Sequence, residues 1–332
     1  MSSVLTESLT DLKIPTLQAV LDPCELGKYL SPILAPDWGV LRDIEIQVLQ
    51  HHRASRCTVD IKLLTTTGSY ELVGKVYAKD RSDVYRAMNQ IIQSGFGPEE
   101  EFSIPQPFAF IPQLYLLLQE KIQGPLVTDI FLTGDVLERA RAAHRCGRWL
   151  AHFHAQAPMS GPVFVFTPEL MESCVRRLAK RAGKQGRSLD KAVLLCQRLE
   201  RAAAALDHVE MRASNGDSCH QNMILAGART VTIDWDGYCL ADPGRDVARF
   251  IIALRQLALK SQGSLRALDA DIEIFYTTYA IRSSFDVAKH LHFYQAAHCL
   301  KHAKHHLKPG NGGAEMTEAM LDEGLRILAE EM

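Results

Sequence analysis

The residues of this chain best suited to chemistry lie between Asn215 and Asp246. Asp217 sits in a polar stretch, Asn-Gly-Asp-Ser-Cys-His-Gln-Asn, that ends at Asn222. An apolar run Met223–Leu225, a small-residue turn at Ala226-Gly227 and a return run Thr230–Ile233 then lead to Asp234. Two apolar runs split by a glycine-containing turn predict a hairpin, whose open end brings Asn222 and Asp234 together. An amide oxygen and a carboxylate placed there suit a hard divalent cation such as Mg²⁺, which takes oxygen ligands and keeps several waters. Asp217, one loop earlier, can face the same point. Asp and Asn also favour turns for local reasons, so any one of the three alone reads as a turn residue. The spacing of the whole set argues for a site.

One carboxylate to take an acceptor's proton, with an amide and a second carboxylate to hold metal against phosphates, is the set that phosphoryl transfer uses. Gly216, Asp217, Asn222, Ile233, Asp234 and Trp235 resemble the His-Gly-Asp-x-x-x-x-Asn and Ile-Asp-Trp/Phe motifs of the aminoglycoside phosphotransferase and choline kinase-like family of small-molecule kinases. The resemblance covers about Leu41 to Leu257. It implies Asp217 as catalytic base, Asn222 and Asp234 as magnesium ligands, ATP as donor and a small-molecule hydroxyl as acceptor. Asp246, in Asp242-Pro-Gly-Arg-Asp246, matches the family position that braces the catalytic loop. The implied architecture is α+β, a protein-kinase-like two-lobed fold with a small antiparallel sheet lobe and a larger, mainly helical lobe.

Elements to position these residues are legible upstream. Residues 1–36 read as a helical N-terminal extension with an amphipathic piece at Leu17–Leu30. From Leu41 the pattern turns to strands, Leu41–Leu49, Arg56–Thr65 and Tyr70–Ala78, rich in β-branched and aromatic residues. Lys75 lies inside the third, and by resemblance it contacts the α- and β-phosphates of ATP. Lys62, one strand earlier, is the weaker rival, and a lysine on the polar face of a strand also has an ordinary solvated reading. Two features depart from the family pattern. The connection His51–Arg56 has no glycine to bring backbone amides to a phosphate, leaving Arg53 or Arg56 as substitutes. The helix Ser82–Gln93 has no glutamate to pair with Lys75, only Asp83, with Glu99, Glu100 and Glu101 in the loop beyond.

The apolar strand Leu114–Leu118 runs into Gln119-Glu120-Lys121-Ile122-Gln123-Gly124, a hinge pattern of strand, polar break and glycine. By resemblance the backbone of Glu120 and Ile122 grips the adenine edge. The expected division is therefore residues 37–120 as a nucleotide-binding lobe and 121–332 as a catalytic and substrate-binding lobe. Within the latter, Thr133 or Asp135 caps a helix through Gln156, and His154 near its end is expected to be a buried side chain that seats the catalytic loop. Thr167-Pro168 starts a helix to about Ala182, Ser188 another through Val209, and Asp242 caps a third from Pro243. His298, His302 and His306 recur every fourth residue beside His305, Lys301 and Lys304. Spacing alone permits a metal face, but the lysines favour a solvated basic face or a wall of the acceptor cleft.

Composition limits the alternatives. With 37 Lys plus Arg against 39 Asp plus Glu, the formal net charge is −2, so no nucleic-acid or anionic-membrane partner is implied. The eight cysteines contain no Cys-x-x-Cys pair and read as reduced thiols of a cytoplasmic protein. No apolar run is long enough to span a bilayer. The many basic residues of the C-terminal part favour neutral or anionic acceptors. Two other classes stay open: a non-catalytic nucleotide-binding regulator, because of the missing glycines and glutamate and Asn215 in place of histidine, and a His-rich metal-binding protein.

Overall fold

Asp22 and Pro23 split the first amphipathic stretch in two: α1 (Leu17–Leu21) ends there, and Asp22 caps α2 (Pro23–Leu30) by accepting from the Cys24 amide at 2.8 Å. Three long strands follow, β1 (Leu41–His52), β2 (Arg56–Thr65) and β3 (Ser69–Tyr77), then α3 (Ser82–Gln93), the short β4 (Phe102–Ser103), β5 (Pro107–Ile111) and β6 (Leu116–Glu120). The computed structural model describes residues 11–34, 36–182, 186–204, 206, 210–217, 219–303 and 313–329.

The chain divides into two compact units between Gln123 and Gly124. In the first, an antiparallel sheet has the order β1-β2-β3-β6-β5. Strict alternation along β2 buries Cys57, Val59, Ile61 and Leu63, the period-two pattern of a strand with one covered face. Ile14, Leu17, Val20, Leu26 and Leu30 join them in one core, so α1 and α2 share the core of the sheet. Val84, Met88 and Ile91 are the buried face of α3.

The second unit is mainly helical: α4 (Val127–Thr133), α5 (Val136–Gln156), α6 (Pro168–Ala182) and α7 (Arg187–Ala203) precede the site segment, and α8 (Pro243–Gln262), α9 (Asp269–Arg282), α10 (Ala288–Ala303) and α11 (Gly313–Ala329) follow it. Between them lie β7 (Arg212–Ser214), β8 (Met223–Ala226), β9 (Arg229–Thr232) and β10 (Cys239–Ala241). Asp135 caps α5 in a reciprocal capping box with Glu138, while Thr133 closes α4. Gly147 lets α9 approach α5, since a Cβ there would lie 2.6 Å from the Phe275 carbonyl. α7 stops at Ala203 instead of running on to Val209: its last buried side chain is Leu199, and the alanines after it offer little packing to hold another turn. Residues 207–209 lie outside the described residues. Among the described residues no helix is long and apolar enough to cross a membrane.

Candidate active site

The hairpin forms where the sequence places it. β8 and β9 pair antiparallel from Met223↔Thr232 to Ala226↔Arg229, and the Ile233 amide donates to the Asn222 carbonyl at 2.8 Å, so Asn222 and the residue before Asp234 close the open end. Asp234 adopts φ 62°, a left-handed conformation that aspartate tolerates, and this turns the chain into a short helical turn, Trp235–Gly237. Trp235 is buried against Trp149 and Phe153 of α5, with ring centroids 6.2 and 5.3 Å away, and its Nε1–H donates to the Thr232 carbonyl at 2.9 Å. Arg145 of α5 grips the other end. It donates to Thr230 Oγ1 and to the carbonyls of Gly227, Ala228 and Arg229 at 2.6–3.0 Å. One helix thus holds both ends of the hairpin.

The loop carrying Asp217 is braced from below. Gly216 has φ +78°, and a Cβ there would lie 2.1 Å from the Gly237 carbonyl oxygen, so only glycine fits. Ser214 Oγ–H donates to Asp246 Oδ1 at 2.8 Å and Ser214 Oγ accepts from the Gly216 amide at 3.1 Å. Arg245 donates to Ser214 Oγ and to the Gly216 carbonyl, both at 3.2 Å. His154 Nε2–H donates to Asp246 Oδ2 at 3.4 Å, and its Nδ1 meets the Tyr279 hydroxyl at 2.8 Å. Burial pushes the Asp246 carboxyl up, but the bonds and charges of His154, Arg245 and Ser214 outweigh it and hold the group below the usual carboxylate range.

Asn215 ties the loop to the hairpin. Its Nδ2–H donates to the Asp234 carbonyl at 3.1 Å and its Oδ1 accepts from the Asp217 amide at 3.2 Å. Asn222 Nδ2–H donates to the Asp217 carbonyl at 3.0 Å and lies 3.4 Å from Asp217 Oδ2. Those bonds fix the amide with its nitrogen toward Asp217, which leaves Oδ1 for a cation. Asn222 Oδ1 and the Asp234 carboxylate are both oxygen donors, of the kind that could hold a hard cation such as Mg²⁺. The Asp217 carboxylate forms an ion pair with Arg249 of α8. His220, between Asp217 and Asn222, donates Nε2–H to the Ala253 carbonyl at 3.3 Å and accepts at Nδ1 from Thr128 at 2.7 Å. Burial, then the Arg249 charge against the pull of the Ala253 carbonyl, lowers its pKa to about 4, so the ring is neutral.

Apart from the histidines of α10, the remaining predicted residues belong to the first unit. Lys75 lies in β3 opposite Thr58 of β2 and Leu117 of β6 and is only 5% exposed. The rival Lys62 instead pairs with Glu45 on the exposed face, Nζ to Oε2 3.2 Å. Asp83 is taken by Arg81 at 3.0 Å. The Glu120 amide donates to the Gln106 carbonyl at 2.8 Å, and Glu120 Oε2 accepts from the Gln106 amide at 3.1 Å. Ile122 is flanked by Lys121, bonded to Asp60 at 2.7 Å, and Gln123, bonded to Glu71 at 2.8 Å. In the glycine-free β1–β2 turn, Ala54 has φ 62° and its amide donates to Asp11 Oδ2 at 2.7 Å, while His51 Nε2–H donates to the same oxygen at 3.0 Å. On α10, His298 is buried rather than solvated and donates Nε2–H to the Arg245 carbonyl at 3.2 Å. His305 and His306 lie outside the described residues.

Asn215, His220, Arg145 and Arg249 are the site residues that motif reading did not assign. Asn215 was visible as a departure from the motif; the two arginines meet the site only through the placing of α5 and α8.

Several solved structures share the fold. A choline/ethanolamine kinase family protein from Mesorhizobium loti aligns over 95% of this chain and 93% of its own at TM-score 0.56 and 14% identity. Choline kinase LicA from Streptococcus pneumoniae aligns over 92% and 98% at 0.58 and 13%. A thermostable mutant of aminoglycoside phosphotransferase APH(4)-Ia, in ternary complex with ADP and hygromycin B, aligns over 92% and 98% at 0.59 and 13%. At such identities these likenesses show a protein-kinase-like α+β fold. No curated protein matches the sequence. The profile of the phosphotransferase enzyme family matches residues 60–272, which is more than half of the chain and includes Lys75, Asp217, Asn222 and Asp234, and on that match the chain belongs to the phosphotransferase enzyme family.

Proposed function

We propose that the protein transfers the γ-phosphate of Mg-ATP to a hydroxyl of a small molecule. The observation that carries this reading is the linked triad of the second unit: Asn215 joins the backbones of Asp217 and Asp234, and Asn222 bonds directly to Asp217. Membership of the phosphotransferase family supports it, and so does the aminoglycoside phosphotransferase of similar fold solved in ternary complex with ADP and hygromycin B.

In this reading Asp217 Oδ2 orients the acceptor hydroxyl and takes its proton as the oxygen attacks the γ-phosphorus and the bond to the ADP oxygen breaks. Asn222 Oδ1 and the Asp234 carboxylate hold Mg²⁺. The ion, when bound, offsets the charge that develops on the phosphate oxygens. Lys75 fixes the α- and β-phosphates, and the backbone at Glu120 and Ile122 meets the adenine edge. The Asp217 side chain is 42% exposed, as a group that must reach an incoming acceptor has to be.

The test is Mg-dependent turnover of ATP with a library of hydroxyl metabolites, run on wild type and Asp217→Asn. Phosphorylated product that disappears in the variant is the expected result. Nucleotide binding without transfer to any library member would instead assign the protein to regulation.

A further inference from the structure

Arg245 and Arg249 stand one turn apart on α8 and so share a face; they are only 5% and 8% exposed. Arg245 is consumed by the loop. It bonds to Ser214 and Gly216, and its guanidinium lies 3.9 Å from the ring centroid of Phe164. Like that of Arg245, the Arg249 Nε–H is buried with no acceptor; Arg249 differs in pairing with the Asp217 carboxylate rather than with the backbone and Ser214 of the loop. A guanidinium offers five donors in a plane that matches a carboxylate or phosphate. This one is incompletely satisfied and stands against the carboxylate at which an acceptor hydroxyl has to arrive.

Apart from Asp217, its partner, the groups around it bring no charge to offset its own. His298 is fully buried, and burial followed by the charges of Arg249, Lys301 and Arg245 keeps its pKa well below the ordinary value, so it contributes none. Asp246 is committed to Ser214 and His154. An ammonium group brought to Asp217 would therefore meet Arg249 as a like charge, whereas an anion would complete its hydrogen bonding.

We infer that the acceptor carries a carboxylate or phosphate close to the hydroxyl that is phosphorylated, and that Arg249 is the residue that selects it. The guanidinium gives up part of its hold on Asp217 and takes the acceptor's anion. This rests on the phosphotransferase reading above.

Matched acceptors test it. Glycerate, glycerol and 3-amino-1,2-propanediol differ only in the group beside the diol; glycerol 3-phosphate adds the phosphate case, and gluconate, sorbitol and glucamine repeat the series at greater length. Wild type is expected to show kcat/KM for the anionic members at least about tenfold above the neutral ones, with the amines lowest. Arg249→Gln brings the anionic-to-neutral ratio to about one, and Arg249→Lys, which keeps the charge but loses the planar fork, restores part of it. The ratio is read within each variant, so a loss of overall rate from disturbing Asp217 cancels. Calorimetric binding of the same compounds to enzyme carrying a non-hydrolysable ATP analogue gives the ratio without turnover.

Preference for a neutral or amine member, a ratio that survives Arg249→Gln, or no binding by any anionic member overturns the inference. Transfer to a neutral or cationic acceptor does so while leaving the phosphotransferase reading intact. Anion binding that disappears in Arg249→Gln, with transfer to no acceptor, upholds the anion site and rejects the phosphotransferase reading.

Discussion

Asp217 is held by two donors of different kinds, the Asn222 amide and the Arg249 guanidinium. Asparagine at the position keeps the shape and removes the proton acceptor. Asp217→Asn is expected to lower kcat by about 10²- to 10⁴-fold, the usual contribution of a general base, with Mg-ATP affinity within about threefold of wild type because phosphate and metal contacts lie on other residues. Stopped acceptor phosphorylation with unchanged nucleotide binding is the result to look for; unchanged turnover would remove Asp217 from the chemistry. Asp217, Asn222 and Asp234 could be read from the chain because their relation is local: a loop, a two-strand hairpin and one residue more. Arg249 could not, because its approach to Asp217 depends on the rotation of α8, which no spacing in the sequence encodes.

Hairpins are set by their turns, and β8–β9 has its turn in the grip of Arg145 through four donor contacts. Arg145→Ala leaves three carbonyls to solvent or to nothing, and the expected loss is about 2–3 kcal/mol of stability, measured by chemical denaturation, with a rise in KM for Mg-ATP as Asn222 and Asp234 lose their common support. Lysine at 145 has one ammonium where the arginine spans several carbonyls, so Arg145→Lys should recover less than half of the loss; full recovery would mean that charge alone matters there. Gly216→Ala tests the loop in the same way. A methyl group 2.1 Å from the Gly237 oxygen has to displace one of the two chains, and activity should fall about 100-fold or more, as for a misplacement of a catalytic group by an ångström. Retention of wild-type kcat would show that the loop tolerates the shift. At this scale β2 was readable in full, because alternation reports a half-covered sheet directly. β1, in contrast, runs on to His52, into the stretch expected to be its turn, and β6 is Leu116–Glu120 rather than Leu114–Leu118, since Pro112–Leu114 forms a short helical turn. The break between α1 and α2 was missed although Asp22-Pro23 is a helix start, and the end of α7 was placed too late because alanines satisfy helix propensity without supplying packing.

Stability of the whole molecule should depend on pH through its buried histidines before its carboxylates take part. His220 joins the catalytic loop to α4 and α8 as a neutral ring, with both nitrogens engaged, and its pKa in the folded protein is about 4, against about 6.5 when unfolded. As pH falls below about 6.5 the unfolded chain takes up a proton that the folded one refuses, so stability is complete above that value and declines until the folded ring titrates near 4. A gap of roughly 2.5 pH units corresponds to at most ~3.4 kcal/mol from this one ring, and buried His298, shifted the same way, adds to the slope. Asp246 acts later and in the same sense: its lowered pKa contributes stability that is lost only as pH falls below the ordinary carboxylate value of about 4 and through its own. The measurement is denaturant unfolding at a series of pH values. Wild type should lose stability steadily between about pH 6.5 and 4.5, and His220→Asn, which cannot charge, should start less stable and show a shallower slope over that interval. Equal slopes in the two proteins would mean that the ring is protonated, or hydrated, in the folded state, and that the loop carrying Asp217 is less tightly closed by α4 and α8 than the hydrogen bonds of His220 require.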